Sequence, residues 1–132
     1  MSFHNLGATE KLLLSCLRQG APGDTAKRLK TLTTEQWTAL LALATELMVR
    51  PLLGQRLLSA AFSIALPGDV KRIIVEEQRG LAIKNLRLHH DFRSVVLALQ
   101  RHAIPIIVLK GFHLASLVYR DLSARATSDI DL

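Results

Sequence analysis

Two acidic side chains stand at the end of the sequence, in Asp129-Ile130-Asp131-Leu132. The four residues alternate polar and apolar, as a half-buried strand does. On a strand, residues i and i+2 point to the same side about 6.5–7 Å apart, which leaves Ile130 on the opposite face. Carboxylates so placed can converge on one Mg²⁺ or bridge a pair, because Mg²⁺ takes oxygen ligands and keeps several waters. With no cation between them they repel. Asp-x-Asp is also common on surface strands and turns, so this chemistry needs a second feature beside it.

Eighteen residues before Asp129 comes Lys110-Gly111. The preceding stretch, Ile104-Pro105-Ile106-Ile107-Val108-Leu109, is short, β-branched and apolar on both faces, which predicts a buried strand. Pro105 belongs at its start, where a missing amide donor is tolerated. A helical segment from His113 to Tyr119 follows, and Arg120 to Ser128 is polar and loop-like. Gly111 therefore falls at a strand-to-helix junction, where backbone amides can approach a phosphate closely. Lys110 would add a point charge for a triphosphate. The plain alternative is a glycine that only makes the turn and a solvated lysine.

The elements that must position these residues are mostly helices. Thr9 can cap a helix to about Gln19, with Leu12, Leu13, Cys16 and Leu17 on one face. After Gly20-Ala21-Pro22-Gly23, Asp24 or Thr25 starts a short helix to about Leu32. Thr33 and Gln36 have capping-box spacing and open a helix from about Thr34 to Val49. Pro51 suits the first turn of the next, which runs to about Leu66 before Pro67-Gly68. Asp69 then caps the longest helix, to about His102, which at 1.5 Å per residue spans about 50 Å. Ile74, Leu81, Leu88 and Val95 recur every seven residues along it, joined by Phe92 and Leu99. This stripe is expected to pack on the preceding helices. Gly80 marks a place where the helix could break, since glycine weakens a helix interior by about 1 kcal/mol.

Composition sets the outer limits. The chain has 132 residues, 49% of them apolar and 21% charged, which suits a folded domain rather than disorder. A single cysteine excludes a disulfide framework and a Cys-rich zinc site. Cys16 has no His/Asn team, so it reads as a reduced, buried thiol and not a nucleophile. The three leucines near it are too short a run for a signal peptide, and Trp37 to Val49 is too short and too polar to span a bilayer. Those features predict a cytoplasmic protein. Aromatics are 5%, which argues against stacking platforms for single-stranded nucleic acid. The net charge of +6 is spread along the helices without a dense run.

The last thirty residues, AIPIIVLKGFHLASLVYRDLSARATSDIDL, resemble the front of the catalytic core in a family of largely uncharacterised bacterial nucleotidyltransferases of the DNA polymerase β-like superfamily. The matching positions are Leu109-Lys110-Gly111, Tyr119, Asp121, Arg125 and Asp129 to Leu132. The helical part is similar too, at Arg50-Pro51-Leu52-Leu53 and Asn85-Leu86-Arg87-Leu88. The resemblance implies transfer of a nucleotidyl group from a nucleoside triphosphate to an acceptor hydroxyl, with Mg²⁺ or Mn²⁺. It implies that Asp129 and Asp131 are the catalytic metal ligands. Lys110, Gly111 and Arg125 would contact the triphosphate, although Arg125 could instead pair with Asp121. The sequence departs from the broader pattern in two ways. Phe112 stands where a second glycine or a serine is usual, and a third carboxylate expected on a later strand is missing. The chain therefore reads as the truncated front of a larger enzyme, inactive or nearly so alone.

Two rivals come from other classes. His90-Asp91, beside His89, contains the pair used by helical metal-dependent phosphohydrolases, but His102, His113 and Asp69 complete no familiar ligand series. The second rival is a non-enzymatic helical module that binds a partner protein. The expected architecture is α+β, with a helical region over 1–102 and the start of the transferase core over 103–132. The acceptor is a protein or small molecule in preference to nucleic acid.

Overall fold

The computed structural model describes residues 6–18, 23–60, 62 and 66–107. Among these residues there are five α-helices and no strand: α1 (Ala8–Leu17), α2 (Gly23–Lys30), α3 (Thr34–Glu46), α4 (Arg50–Leu58) and α5 (Gly68–Arg101). Helix accounts for 79% of them, which corrects the expected α+β class. The correction has a physical basis at the expected strand. A strand exists through the hydrogen-bond ladder it makes with a neighbour, and residues 104–107 make no such ladder with any of the described residues. Ile104 is 48% and Ile107 76% exposed, so β-branched sequence is present there without the burial that a central strand requires. The remainder of that stretch, 108–109, and Asp129 to Leu132 lie outside the described residues.

The chain divides into two compact units, Met1–Glu76 and Glu77–Leu132. In the first, α1 packs on α2, α3 and α4, and α3 packs on α4. The α1 face is as the spacing predicts: Leu12, Leu13 and Cys16 are buried and Leu17 packs against them. Leu29 of α2, Trp37 and Leu40 of α3, and Leu53 and Leu57 of α4 complete the centre of this core. Val70 and Ile74, from the first turns of α5, close it.

Helix starts were more legible than helix ends. The predicted capping box forms: Thr33 N–H donates to Gln36 Oε1 at 2.9 Å, and Gln36 N–H donates to Thr33 Oγ1 at 3.3 Å. At α1, however, Gly7 and not Thr9 is the N-cap, and it supplies no side-chain bond. α4 stops at Leu58, well before Leu66. There Ser59 turns out of the helix, its N–H and its hydroxyl both donating to Arg56 O at 3.2 and 2.6 Å. Arg56 also ties two helix ends together. Its Nη2 donates to Arg18 O at 2.7 Å and its Nε to Cys16 O at 3.4 Å, satisfying carbonyls that the end of α1 leaves without intrahelical partners.

α3 and α5 end in the same motif. Val49 N–H donates to Ala44 O and Met48 N–H to Thr45 O, while Ile104 N–H donates to Leu99 O and Ala103 N–H to Gln100 O. This six-to-one and five-to-two pairing is a Schellman motif, which needs a left-handed residue and usually finds glycine there. Here the left-handed residues are Met48, at φ 57°, and Ala103, at φ 55°. Neither announces a helix end in the sequence, which is why α3 and α5 read as slightly longer than they are.

α5 is unbroken at Gly80, where an added Cβ would meet nothing within 4 Å. The same helix therefore asks for opposite substitutions at two places. Gly80→Ala is expected to stabilise by about 0.5–1 kcal/mol, through the loss of backbone freedom in the unfolded chain. Ala103→Gly is expected to stabilise by a similar amount, about 0.5–1 kcal/mol, by removing left-handed strain. Urea unfolding of both variants against the parent checks this, and a destabilised Ala103→Gly would contradict the strain.

The seven-residue stripe on α5 is also corrected. Ile74 is buried, Leu81 and Leu88 are half-buried, but Val95 is 45% exposed. A straight α-helix drifts by about 20° per seven residues, so a strict heptad series rotates off the inward face within three repeats. The face that stays covered through the second unit is Leu81, Asn85, Leu88, Phe92, Val96 and Leu99, with Asn85 buried at 2% exposure.

Candidate functional site

Lys110, Gly111, Arg125, Asp129 and Asp131 all lie outside the described residues. What the structure does show is how the chain leaves α5 towards them. The left-handed turn at Ala103 ends the helix and turns the chain back, so that Ile104, Pro105 and Ile106 face Phe92, Val96 and Gln100 of α5 across a hollow of about 250 Å³. Its lining is apolar but for Gln100, with no charged side chain to meet a phosphate. In the first unit a smaller hollow, about 80 Å³, lies among Ala8, Thr9, Leu12, Arg28, Leu32 and Gln36. Ligand pockets for drug-sized molecules run to about 300–1,000 Å³, so that hollow is too small for a nucleotide.

The rival site on α5 gains little. His89, His90 and Asp91 are all exposed. Among the described residues, no group of three or more His, Cys, Asp or Glu is arranged to hold a metal ion. His113, one of the residues considered with them, is outside the described set. No helix among the described residues is long and apolar enough to cross a membrane.

Cys16 is fully buried between α1 and the rest of the first core. Burial pushes its thiol up to about 11 from an ordinary 9.0, against smaller opposing effects of the Arg28 and Arg56 charges. A thiol held protonated at neutral pH is a poor nucleophile, which agrees with the structural role read from the sequence. The linkage has a definite sign. The unfolded thiol ionises near 9 and the folded one near 11, so the folded state holds the proton more tightly. That contribution is fully present below about pH 9 and disappears as pH rises to 11, a loss of about 2 kcal/mol. Cys16→Ala is expected to flatten this part of the stability profile, measured by urea unfolding between pH 8 and 11. An unchanged slope would mean that Cys16 titrates normally.

At the start of α3, Glu35 is held below the usual carboxylate range by its own backbone N–H and by the Thr33 side chain. Both bonds belong to the helix cap, so they explain the shift without a ligand.

Sequence reading overlooked a second ordered face of α5, opposite the covered one. Arg79, Ile83, Leu86, His90, Arg93 and Leu97 are all exposed and recur at alternating steps of four and three. The signal was in the spacing, masked by the attention a buried stripe attracts.

The family model described as an uncharacterised nucleotidyltransferase matches residues 33–132. No curated protein and no solved structure matches the chain.

Proposed function

The chain belongs to that uncharacterised nucleotidyltransferase family, and from this premise we propose that it serves metal-dependent transfer of a nucleotidyl group from a nucleoside triphosphate to an acceptor hydroxyl. The observation that carries the proposal is the span of the match, which takes in both Lys110-Gly111 and Asp129-Ile130-Asp131.

The chemistry of the donor set suits the ion. Asp129 and Asp131 offer only hard carboxylate oxygens, which Mg²⁺ and Mn²⁺ prefer, and no Cys or His adjoins them in the sequence to favour zinc. When bound, the metal polarises the α-phosphate and stabilises the attacking and leaving oxygens. The chain's own residues do the rest. Asp129 and Asp131 hold the ion through their carboxylates. Gly111 leaves room for backbone amides to approach the triphosphate, and Lys110 offsets its charge. Arg125 contributes a forked donor to a phosphate oxygen. In the reaction, the acceptor hydroxyl gives up its proton to solvent and its oxygen bonds to the α-phosphorus, while the bond from the α-phosphorus to the bridging oxygen breaks and pyrophosphate leaves. Protein or small-molecule acceptors suit this chain better than nucleic acid, given its few aromatics and dispersed cations.

Melting of the 132-residue chain with Mg²⁺ and each nucleoside triphosphate in turn tests the proposal, alongside amide NMR signals near Gly111. At least one triphosphate is expected to raise the melting temperature and move those signals, and to do so only with the metal. If saturating metal and every triphosphate leave both unchanged, nucleotide binding by this chain is refuted.

A further inference from the structure

The outer face of α5 has no role in the proposed chemistry, yet it is patterned. Within the second unit, Arg79, Ile83, Leu86, His90, Arg93 and Leu97 follow steps of four, three, four, three and four, and Arg101 continues the row. At about 100° per residue these positions stay within a narrow stripe along one side of the helix. Ile83 is 53%, Leu86 55% and Leu97 46% exposed, and the Arg and His residues between them are exposed too. From Arg79 to Arg101 the row holds no acidic residue; Glu76 stands one turn before Arg79 on the same side, and Glu77 and Asp91 lie off it. Steps of four and three are the spacing by which one helix meets another in a coiled coil.

We propose that this face of α5 docks an amphipathic helix of a partner protein whose acidic residues, interleaved with leucine-like side chains, meet Arg79, Arg93 and Arg101. Charge complementarity selects that occupant. Three arginines lie in line with three apolar side chains, so a partner must offer carboxylates and apolar groups alternately along one stripe. A second copy of this chain fails the test. In an antiparallel pair centred on His90, Ile83 meets Leu97, but Arg79 then meets Arg101 and His90 meets its own copy. A phosphate backbone fits less well, because Ile83, Leu86 and Leu97 have nothing to gain from it. A membrane surface fits less well too. The arginines interrupt the apolar row instead of flanking it, and no aromatic anchor stands in the row.

Fluorescence anisotropy of the full chain with two synthetic helical peptides of about four heptads decides the matter. One peptide carries Leu and Glu on its contact stripe; in the other, Lys replaces every Glu. The Glu peptide is expected to bind at least about tenfold more tightly, a difference of about 1.4 kcal/mol, and to weaken as salt rises. Arg93→Glu is expected to narrow the preference for the Glu peptide, and Leu86→Ser to weaken the Glu peptide by about tenfold. Equal binding of the two peptides, or salt-independent binding of the Glu peptide, overturns the proposal. So does binding of duplex DNA or phosphatidylserine vesicles that Leu86→Ser abolishes, or a dimer in sedimentation that the same change dissolves. The salt series on the parent chain keeps the test decisive even if a variant fails to fold.

Discussion

Replacing Asp129 and Asp131 together by alanine is expected to abolish the stabilisation that Mg²⁺ and a nucleoside triphosphate confer on the parent chain. A ligand that binds only the folded state at a hundred times its dissociation constant adds about 2.7 kcal/mol. For a chain of this size that is a rise of roughly 10 °C in melting temperature. The double variant loses both carboxylates of the proposed metal site, which would leave the triphosphate with Lys110, Arg125 and backbone amides against its full negative charge. The residual shift is expected to fall to about 1 °C or less. Without ligand the variant is expected to melt no lower than the parent, because two neighbouring carboxylates repel when no cation separates them. That contrast makes the result specific. A variant that melts lower without ligand and still responds to it would assign the two residues to structure and remove them from the site.

The second large effect is a contrast between neighbours on α1. Leu13 is 2% exposed and Leu14 is 48% exposed. Leu13→Ala opens a cavity where α1 meets the packed core, at an expected cost of about 3 kcal/mol within the usual 2–5 for such changes. A domain is stable by only about 5–15 kcal/mol, so this one change removes a large share. Leu14→Ala removes a side chain already half in water and is expected to cost less than about 1 kcal/mol, partly repaid by the helix propensity of alanine. Urea unfolding followed by Trp37, the sole tryptophan and a buried one, reads both variants. Similar costs for the two would mean that α1 presents a different face to the core.

How much was legible in the sequence depended on the range of the interaction involved. The Thr33 capping box was readable because donor and acceptor lie three residues apart. The inward face of α1 was readable because a helix repeats every 3.6 residues. The ends of α3 and α5 were not readable, since Met48 and Ala103 occupy positions where glycine would have given the signal. The end of α4 was missed because Ser59 bonding back to Arg56 has no distinctive spelling. Nothing in the sequence sets Arg56 apart, and only the packing of α1 on α4 brings it to Cys16 and Arg18, about forty residues away. The candidate site rests on residue type and spacing alone, through Lys110-Gly111 and Asp129-Ile130-Asp131, which lie outside the described residues.

By itself, then, the sequence determined the family, the order of five helices, the inward leucines of the first unit and the residues proposed for catalysis. These follow from local periodicity and from side-chain chemistry. Tertiary structure alone decided that residues 104–107 form no strand among the described residues, that Val95 rotates away from the face begun by Ile74, and that burial pushes the Cys16 thiol up to about 11. Each of those outcomes depends on what another part of the chain places alongside. A strand needs a neighbour's amides, a helix face shifts by a few degrees at every turn, and a thiol's acidity follows the water excluded around it.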